Sequence, residues 1–174
     1  MTETYIKDDR LEKITFCTPT TDDYSNVKSI WEDPETMAAI GGVFSISNDK
    51  YLKWLDSMTF RNKHKNCYFL IMLGELCLGE VSFHRFNNNL KTAELNIKIK
   101  SIYRKQGYGK KALDYILNIF FIEWDGNEMI DNIREGNNTG LAALKSYGFQ
   151  ERINDKNEKI LFLNKKDFIK RAAV

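Results

Sequence analysis

Apolar and polar residues alternate from Ala93 to Lys100, and the period changes a few residues later. Leu95, Ile97 and Ile99 are apolar and the residues between them are polar, as in a half-buried β-strand. After Gly107-Tyr108-Gly109 the apolar residues recur at the spacing of a helix. They are Ala112, Leu113, Ile116, Leu117 and Phe120. The sequence therefore predicts a strand that leads into a helix, with two glycines at the junction.

Similar patterns predict the other elements. Strands are expected at Leu11 to Thr18, Cys67 to Leu73, Leu76 to His84, Lys91 to Lys100, Met129 to Ile133, Phe149 to Ile153 and Ile160 to Leu163. Helices are expected from Thr20 or Thr21, at Pro34 to Ile40, after Ser47, at Gly107 to Glu123 and at Asn138 to Tyr147. Lys165 to Arg171 is interpreted as a charged, solvated tail. Residues 1–174 thus predict one α+β domain, with a mostly antiparallel mixed sheet of about six to seven strands flanked by helices.

Two local patterns allow more than one interpretation. Gly79, inside a predicted strand, indicates a β-bulge, a close backbone approach or an ordinary exposed glycine. The apolar stripe Tyr51, Trp54, Leu55 and Met58 is typical of core packing on a helix, and it could also form part of an acceptor wall.

The glycine junction has the features of an anion site. The first N–H groups of a helix lack intrahelical acceptors, and the helix dipole adds positive potential there. From Lys98 to Lys111 the chain has six Lys or Arg residues and no Asp or Glu, although the net charge of the whole chain is only +2. This local asymmetry predicts a phosphate-bearing ligand.

Two general phosphate motifs were compared with this stretch. A P-loop is excluded, because Arg104 and Lys111 occupy positions that need Gly and Ser or Thr. A dinucleotide fingerprint fits loosely as Gly107-x-Gly109-x-x-Ala112. That fingerprint usually belongs to the first βα turn of a domain, and here about a hundred residues precede it.

A third interpretation is a resemblance to a family. Arg104-Lys105-Gln106-Gly107-Tyr108-Gly109 resembles the Arg/Gln-x-x-Gly-x-Gly/Ala signature of the GCN5-related N-acetyltransferase (GNAT) family. The segment from Asn137 to Phe149, an Asn before a short helix that ends in Gly-Phe, is similar to the family's second motif. Trp31 to Met37, with Gly41-Gly42 and Trp54, resembles the subgroup that includes ribosomal-protein N-terminal acetyltransferases.

The resemblance implies acetyl-CoA as co-substrate and no metal. It places the diphosphate on the loop and first turn formed by Arg104, Lys105, Gln106, Gly107, Tyr108, Gly109 and Lys110. The backbone of Ile97, Lys98 and Ile99 would pair with the pantetheine arm like an added strand, which requires this strand to splay from its neighbour. Asn137 would contact the same arm or cap the helix that follows it.

The resemblance also implies catalytic roles. Glu94 matches the acidic residue at the start of the motif and would act as the base; the alternative is a cross-strand surface pair with a lysine. Many members carry Tyr as the acid five residues before the motif's Phe, but that position is Leu144 here, and Gly140 replaces a common Ser or Ala. Tyr147, one turn further along, is the remaining candidate for the acid.

Composition narrows the classes of function. A hydrophobic content of 43% and a charged content of 29% are typical of a globular domain, and no apolar run reaches the roughly 20 residues of a membrane span. Cys17, Cys67 and Cys77 do not suggest a disulfide framework, and His64 and His84 lack a zinc-ligand pattern. With a polar amino-terminal segment, Met1 to Arg10, these features predict a cytoplasmic protein with neither nucleic-acid nor membrane partners.

The leading hypothesis is an N-acetyltransferase that moves the acetyl group of acetyl-CoA to a primary amine, either a protein amino terminus or a small amine. A non-catalytic acyl-CoA-binding module and a dinucleotide-binding domain are kept as alternatives. Dimers are frequent in the resembled family, so a homodimer is one expected assembly, and the acceptor is left open.

Overall fold

A single seven-stranded mixed sheet organises the chain, in the strand order β1-β2-β3-β4-β5-β7-β6. The structure, a computed structural model, describes residues 9–155 and 157–172. Its strands are β1 (Ile14–Cys17), β2 (Cys67–Leu73), β3 (Leu76–Asn87), β4 (Thr92–Ile99), β5 (Glu128–Asp131), β6 (Gln150–Ile153) and β7 (Lys159–Asn164). Its helices are α1 (Asp9–Glu12), α2 (Tyr24–Trp31), α3 (Pro34–Met37), α4 (Asn48–Leu55), α5 (Tyr108–Asn118), α6 (Asn138–Tyr147) and α7 (Lys165–Ala172). The predicted α+β class is confirmed.

Strands β2, β3 and β4 form the predicted antiparallel meander. Met72 lies opposite Cys77, as the hairpin pattern predicts, and a register shift follows at Ile71. Gly79 faces Ile99 of β4, and a Cβ atom on Gly79 would collide with the carbonyl oxygen of Lys98. Both special interpretations of this glycine are therefore confirmed, since a bulge and a close backbone approach occur together.

Each face of the sheet carries its own apolar cluster. On one face, α5 and α6 pack over side chains such as Val81, Leu95 and Met129. On the other face, α2 and α4 pack over β2 and β3, and the stripe with Tyr51 and Leu55 lies in that cluster. Core packing is thus confirmed for the stripe, because amphipathic helices bury their apolar side against a sheet.

The sheet opens between β4, its central strand, and the neighbouring β5. β4 and β5 are parallel and pair only at Thr92 to Glu94 with Glu128 to Ile130. Beyond these three residue pairs, β4 continues to Ile99 without a β5 partner. The connection between them runs through α5 and a π-helical turn, Ile119–Glu123. The splay that the resemblance requires is therefore present at the carboxyl end of β4.

Two predictions at the ends of the described chain need correction: the first strand is present but shorter than predicted, and the predicted tail is a helix. The first strand is only Ile14–Cys17, and Leu11 lies in α1, where its side chain approaches Gly107. Lys165 to Arg171 is not a solvated tail but belongs to α7. There Phe168 is buried and stacks on Phe121 at 4.9 Å between ring centroids. One buried aromatic ring anchors an otherwise charged helix. Most of the amino-terminal segment on which the cytoplasmic expectation depends, residues 1–8, lies outside the described residues.

Within residues 9–155 and 157–172, no helix has the length and apolar character needed to span a membrane.

Candidate active site

The loop before α5 has the conformation of an anion cradle. Lys105 and Gly107 both have positive φ, 60° and 86°, which turns the chain sharply into the helix. The first helical N–H to find a main-chain acceptor is that of Lys111, which donates to the carbonyl of Gly107 at 3.2 Å. The N–H groups of Tyr108, Gly109 and Lys110 belong to the first turn and lack intrahelical acceptors. They are available for a diphosphate.

The side chains of the cradle differ in their roles. Lys105 is exposed, and Lys110 is exposed and forms an i, i+4 ion pair with Asp114 at 2.9 Å. Gln106 donates to the carbonyl of Ile102, which fixes the loop locally. Tyr108, the first residue of α5, is 3% exposed and packs in the core. The lysines therefore supply charge, whereas Tyr108 and Gln106 hold the loop.

Arg104 connects the cradle to the helices on the other face of the sheet. Its Nε donates to the carbonyl of Ile99 at 3.0 Å, and its Nη2 donates to the carbonyl of Thr36 in α3 at 2.9 Å. Thr36 Oγ1 in turn accepts from the N–H of Ser101 at 2.9 Å. Two of the donors of Arg104 are thus used to join the end of β4 to α3.

The open edge of β4 presents main-chain groups at alternate residues. Lys100 N–H donates to the carbonyl of Leu78, so Lys100 and Lys98 face β3 with their main chain. Ile97 and Ile99 consequently face the opening, although the carbonyl of Ile99 already accepts from Arg104. Of the three predicted pantetheine contacts, only Ile97 and Ile99 have main-chain groups at the open edge.

Lys98 belongs to a buried polar cluster on the face of α2. Its Nζ is bound by Glu80, which is fully buried. Glu80 also accepts from Tyr68 Oη and from Trp31 Nε1, the latter at 2.8 Å. Burial and the neighbouring Glu80 raise the pKa of Tyr68 well above its usual value. Sequence analysis missed this cluster, although the polar residues at every second position of β3 from Glu80, paired with those of β4, were a signal for it.

Glu94 lies on the same face as this cluster, near the closed end of the opening. Arg85 Nη1 donates to both of its carboxylate oxygens, at 3.0 and 2.8 Å. The side chain of Glu94 is 36% exposed, and that of Arg85 is 76% exposed. The carboxylate is therefore paired across the strands, with arginine where a lysine was considered, and it stays accessible to an acceptor.

His84 lies directly opposite Glu94 in the β3–β4 register and was not predicted as a site residue. Its Nε2 is 3.0 Å from Ser82 Oγ, and burial lowers its pKa, with the charge of Lys98 acting in the same direction. A neutral imidazole is thus next to the candidate base.

Tyr147 does not line the opening with its hydroxyl. The ring is 3% exposed, and its Oη donates to Asp114 Oδ1 of α5 at 2.7 Å. The guanidinium of Arg171 lies over the ring, 4.1 Å from its centroid. Burial, and then the hydrogen bond to Asp114, raise the pKa of this phenol far above its usual value. These contacts give Tyr147 the role of a link between α5, α6 and α7.

Asn137 caps α6. Its Oδ1 accepts from the N–H of Gly140 at 3.0 Å, and a Cβ atom on Gly140 would lie 2.6 Å from Asn137 Nδ2. The glycine that departs from the family pattern thus leaves room for the capping amide of Asn137, and a larger residue there would require that side chain to shift. The capping alternative is confirmed for Asn137.

Asp131, which sequence analysis missed, lies at the closed end of the opening. It is the last residue of β5 and follows Ile130, the last residue paired with β4. It is half-buried, and among the described residues its carboxylate has no hydrogen-bond or ion-pair partner. Burial, with a smaller contribution from the charge of Glu94, raises its pKa to about 7. The acidic residue in the predicted strand Met129 to Ile133 was the sequence signal for it.

The described residues contain no group of three or more His, Cys, Asp or Glu side chains arranged to hold a metal ion.

Comparisons with known proteins agree with this geometry. A search of curated proteins gave no match. Among solved structures, a spermidine N-acetyltransferase from Vibrio cholerae in complex with CoA and spermine superposes with a TM-score of 0.76. It has 14% sequence identity, and the alignment covers 91% of this chain and 99% of that one.

Two further structures share the fold. One from Vibrio cholerae, assigned as a ribosomal-protein-serine acetyltransferase, has a TM-score of 0.72 and 17% identity over 88% of this chain and 94% of its own. The PaiA N-acetyltransferase from Thermoplasma acidophilum, in complex with coenzyme A, has a TM-score of 0.70 and 15% identity. The alignment covers 87% of this chain and 98% of that one. The model of the acetyltransferase (GNAT) domain family matches residues 13–150. The chain belongs to the GNAT acetyltransferase family.

Proposed function

We propose that the protein transfers the acetyl group of acetyl-CoA to a primary amine, by direct attack of the amine in a ternary complex. The observation that carries the proposal is the combination of the cradle before α5 with the opening between β4 and β5. A diphosphate held by the first turn of α5 places the pantetheine arm beside the end of β4. The arm then pairs with main-chain groups of β4, as an added strand does.

The acetyl group is oriented by the same edge. Ile97 N–H faces the opening, where it can donate to the thioester oxygen as negative charge develops on it. Because this donor is held by the β3–β4 pairing, it needs no rearrangement during the reaction. The backbone thus contributes both binding and electrostatic stabilisation.

Glu94 accepts the proton of the attacking amine, directly or through a water molecule. An alkylammonium has a pKa of roughly 8 to 10, so it must lose a proton before it attacks. Glu94 lies on the face opposite α5, and the acceptor approaches from the side of α2 and α3. Two of the solved relatives are described with amine or ribosomal-protein substrates, which supports an amine acceptor of either kind.

A second candidate function is a non-catalytic acyl-CoA-binding module. It is favoured by Leu144 at the position where many members have Tyr, and by the commitment of the Tyr147 hydroxyl to Asp114. The two candidates differ in whether any amine in a broad panel releases free thiol from acetyl-CoA above the background without amine. The cytoplasmic location, a homodimer and the lack of nucleic-acid and membrane partners stay predictions.

Calorimetry with acetyl-CoA, NADH and ATP tests the cofactor. Gly109 is the best position for a variant, because a Cβ there meets only Ile99 Cγ1, at 3.8 Å. We expect selective binding of acetyl-CoA that persists in Gly109→Ala and is lost in Gly109→Glu, whose carboxylate would oppose the diphosphate. No binding of acetyl-CoA to the unaltered protein, or a preference for NADH, would overturn the proposal.

A further inference from the structure

We propose that Asp131 is the acid that protonates the departing thiolate of coenzyme A, an inference that rests on the proposed function. In the reaction, the amine nitrogen forms a bond to the acetyl carbon and the C–S bond breaks. The electron pair of that bond goes to sulfur, which takes the carboxyl proton of Asp131. Glu94 takes the ammonium proton before attack and passes it to solvent, and it then takes the second proton that the nitrogen loses once the N–C bond has formed. After the products leave, Glu94 releases that proton to solvent and Asp131 is reprotonated from solvent.

The position of Asp131 follows from the direction in which the cofactor must run. The diphosphate cradle comes after the carboxyl end of β4, so the pantetheine arm extends from there back along β4 toward its amino end. The opening closes at the pair Glu94 and Ile130. The sulfur, at the far end of the arm, is therefore the part of coenzyme A nearest to that closed end. Asp131 follows Ile130 and is therefore the first residue of β5 on the open side of this pair.

Asp131 also lies on the face of the sheet opposite to Glu94, where a second proton-transfer group is needed. In the parallel register Asp131 is next to Leu95, and by strand alternation it shares the face of Met129, which packs in the core under α5 and α6. Glu94 lies on the opposite face of the sheet, with Arg85 and the acceptor side. Two carboxylates thus flank the reaction centre from opposite faces, one for each proton.

Glu94, the proposed base, and Asp131, the proposed acid, have different surroundings. Glu94 is held by the guanidinium of Arg85 in an exposed ion pair. Asp131 has the apolar Leu161 as its β7 neighbour. The titratable groups that α5 and α6 contribute on this face are the phenols of Tyr108, Tyr115 and Tyr147 and the carboxylate of Asp114, which accepts a hydrogen bond from Tyr147. Burial, with a smaller contribution from the charge of Glu94 on β4, raises the pKa of Asp131 to about 7, so this carboxyl holds its proton up to near neutral pH. The two carboxylates therefore differ in their surroundings, with an ion pair at Glu94 and an apolar strand neighbour at Asp131.

The number of protons taken up when acetyl-CoA binds tests the role of Asp131, and this measurement needs no acceptor amine. Acetyl-CoA is titrated by calorimetry near neutral pH, in two buffers that differ in ionisation enthalpy, into the unaltered protein, Asp131→Asn and Glu128→Gln. Glu128 is the matched control, since it lies on the same strand and pairs with Arg152. We expect proton uptake to be smaller in Asp131→Asn than in the unaltered protein and in Glu128→Gln. Equal uptake in all three would overturn the inference.

Turnover provides the second readout, with the acceptor amine that the thiol-release panel identifies. Asp131→Asn should lower kcat about 100-fold, at the low end of the contribution of a general acid, and should remove the alkaline limb of the pH profile. A normal kcat, or a lowered kcat with the limb retained, would contradict the role. Thermal unfolding checks that the variant is folded, and Asp131→Ser replaces it if it is not.

The outcomes also separate this inference from the proposed function. If the unaltered protein does not bind acetyl-CoA, both fail. If it binds acetyl-CoA and acetylates an amine while Asp131→Asn matches it in uptake and rate, only the assignment of Asp131 fails.

Discussion

The hydroxyl of Tyr147 donates a 2.7 Å hydrogen bond to Asp114, and this bond joins the two helices that flank the opening in the sheet. The phenol at the end of the second motif is therefore part of the frame of the site, and its proton is donated to Asp114.

Replacement of Tyr147 by Phe should affect stability more than catalysis. Loss of the hydrogen bond should lower the free energy of unfolding by about 1 kcal/mol, because Asp114 keeps its ion pair with Lys110. Urea unfolding measures this change, and kcat should stay within about threefold of the unaltered value. A fall of 100-fold in kcat with normal acetyl-CoA affinity would instead make Tyr147 the acid.

Glu94→Gln should slow acetyl transfer while acetyl-CoA still binds. The amide keeps the shape of the side chain and removes the proton acceptor, so kcat should fall by about 10²-fold or more. Steady-state rates from about pH 6 to about pH 9, with calorimetry of acetyl-CoA as the binding control, measure the effect. Turnover that is unchanged over this range would remove Glu94 from the mechanism.

The raised pKa of Asp131 predicts a pH dependence of stability. The folded state holds this proton up to about pH 7, whereas an unfolded Asp releases it near its ordinary value of 3.8. Folding therefore binds protons between these two values, and stability is lost as the pH rises through them. Asp131→Asn should remove this loss and raise the free energy of unfolding by about 2 to 4 kcal/mol above neutral pH. Unfolding curves near pH 5 and near pH 8 test this, and a variant that is less stable at the higher pH would contradict it.

The buried pair of Glu80 and Lys98 should show strong coupling. Glu80→Leu alone leaves a buried ammonium without its carboxylate and should cost about 3 to 5 kcal/mol. Lys98→Met in the same chain should recover much of that loss, because the uncompensated charge is gone. Chemical unfolding of the two single variants and the double variant gives the coupling energy. Additive losses would mean that the two charges do not stabilise each other.

The sequence was sufficient for the elements whose residues interact mainly with near neighbours. The meander from β2 to β4 follows from alternation and two short turns, and the cradle follows from glycine spacing and local charge. Helix α7 was not predicted because most of its residues are charged. Its buried ring, Phe168, packs on Phe121, which is far away in the chain. Local patterns hold no information on such a contact.

The residues of the cradle could be predicted from the sequence, whereas the residues that take part in proton transfer mostly could not. The glycine turn identifies the cradle because the backbone conformation depends on local residue types. The orientation of the Arg104 guanidinium toward α3 depends on how that helix packs on the sheet. The same is true of Asp131, whose raised pKa arises from burial at the end of a strand pair. These features arise only when distant segments come together.

The three residue pairs between β4 and β5 also determine how the molecule can deform. Strands β1 to β4 form one hydrogen-bonded plate, and β5, β7 and β6 form another, so the sheet consists mechanically of two plates joined along a short seam. Helix α5 packs on β3 and β4 and so belongs to the first plate. A small rotation about the seam changes the width of the opening and involves few hydrogen bonds. The weakest hydrogen-bonded connection across the sheet therefore lies beside the opening that we propose for the cofactor.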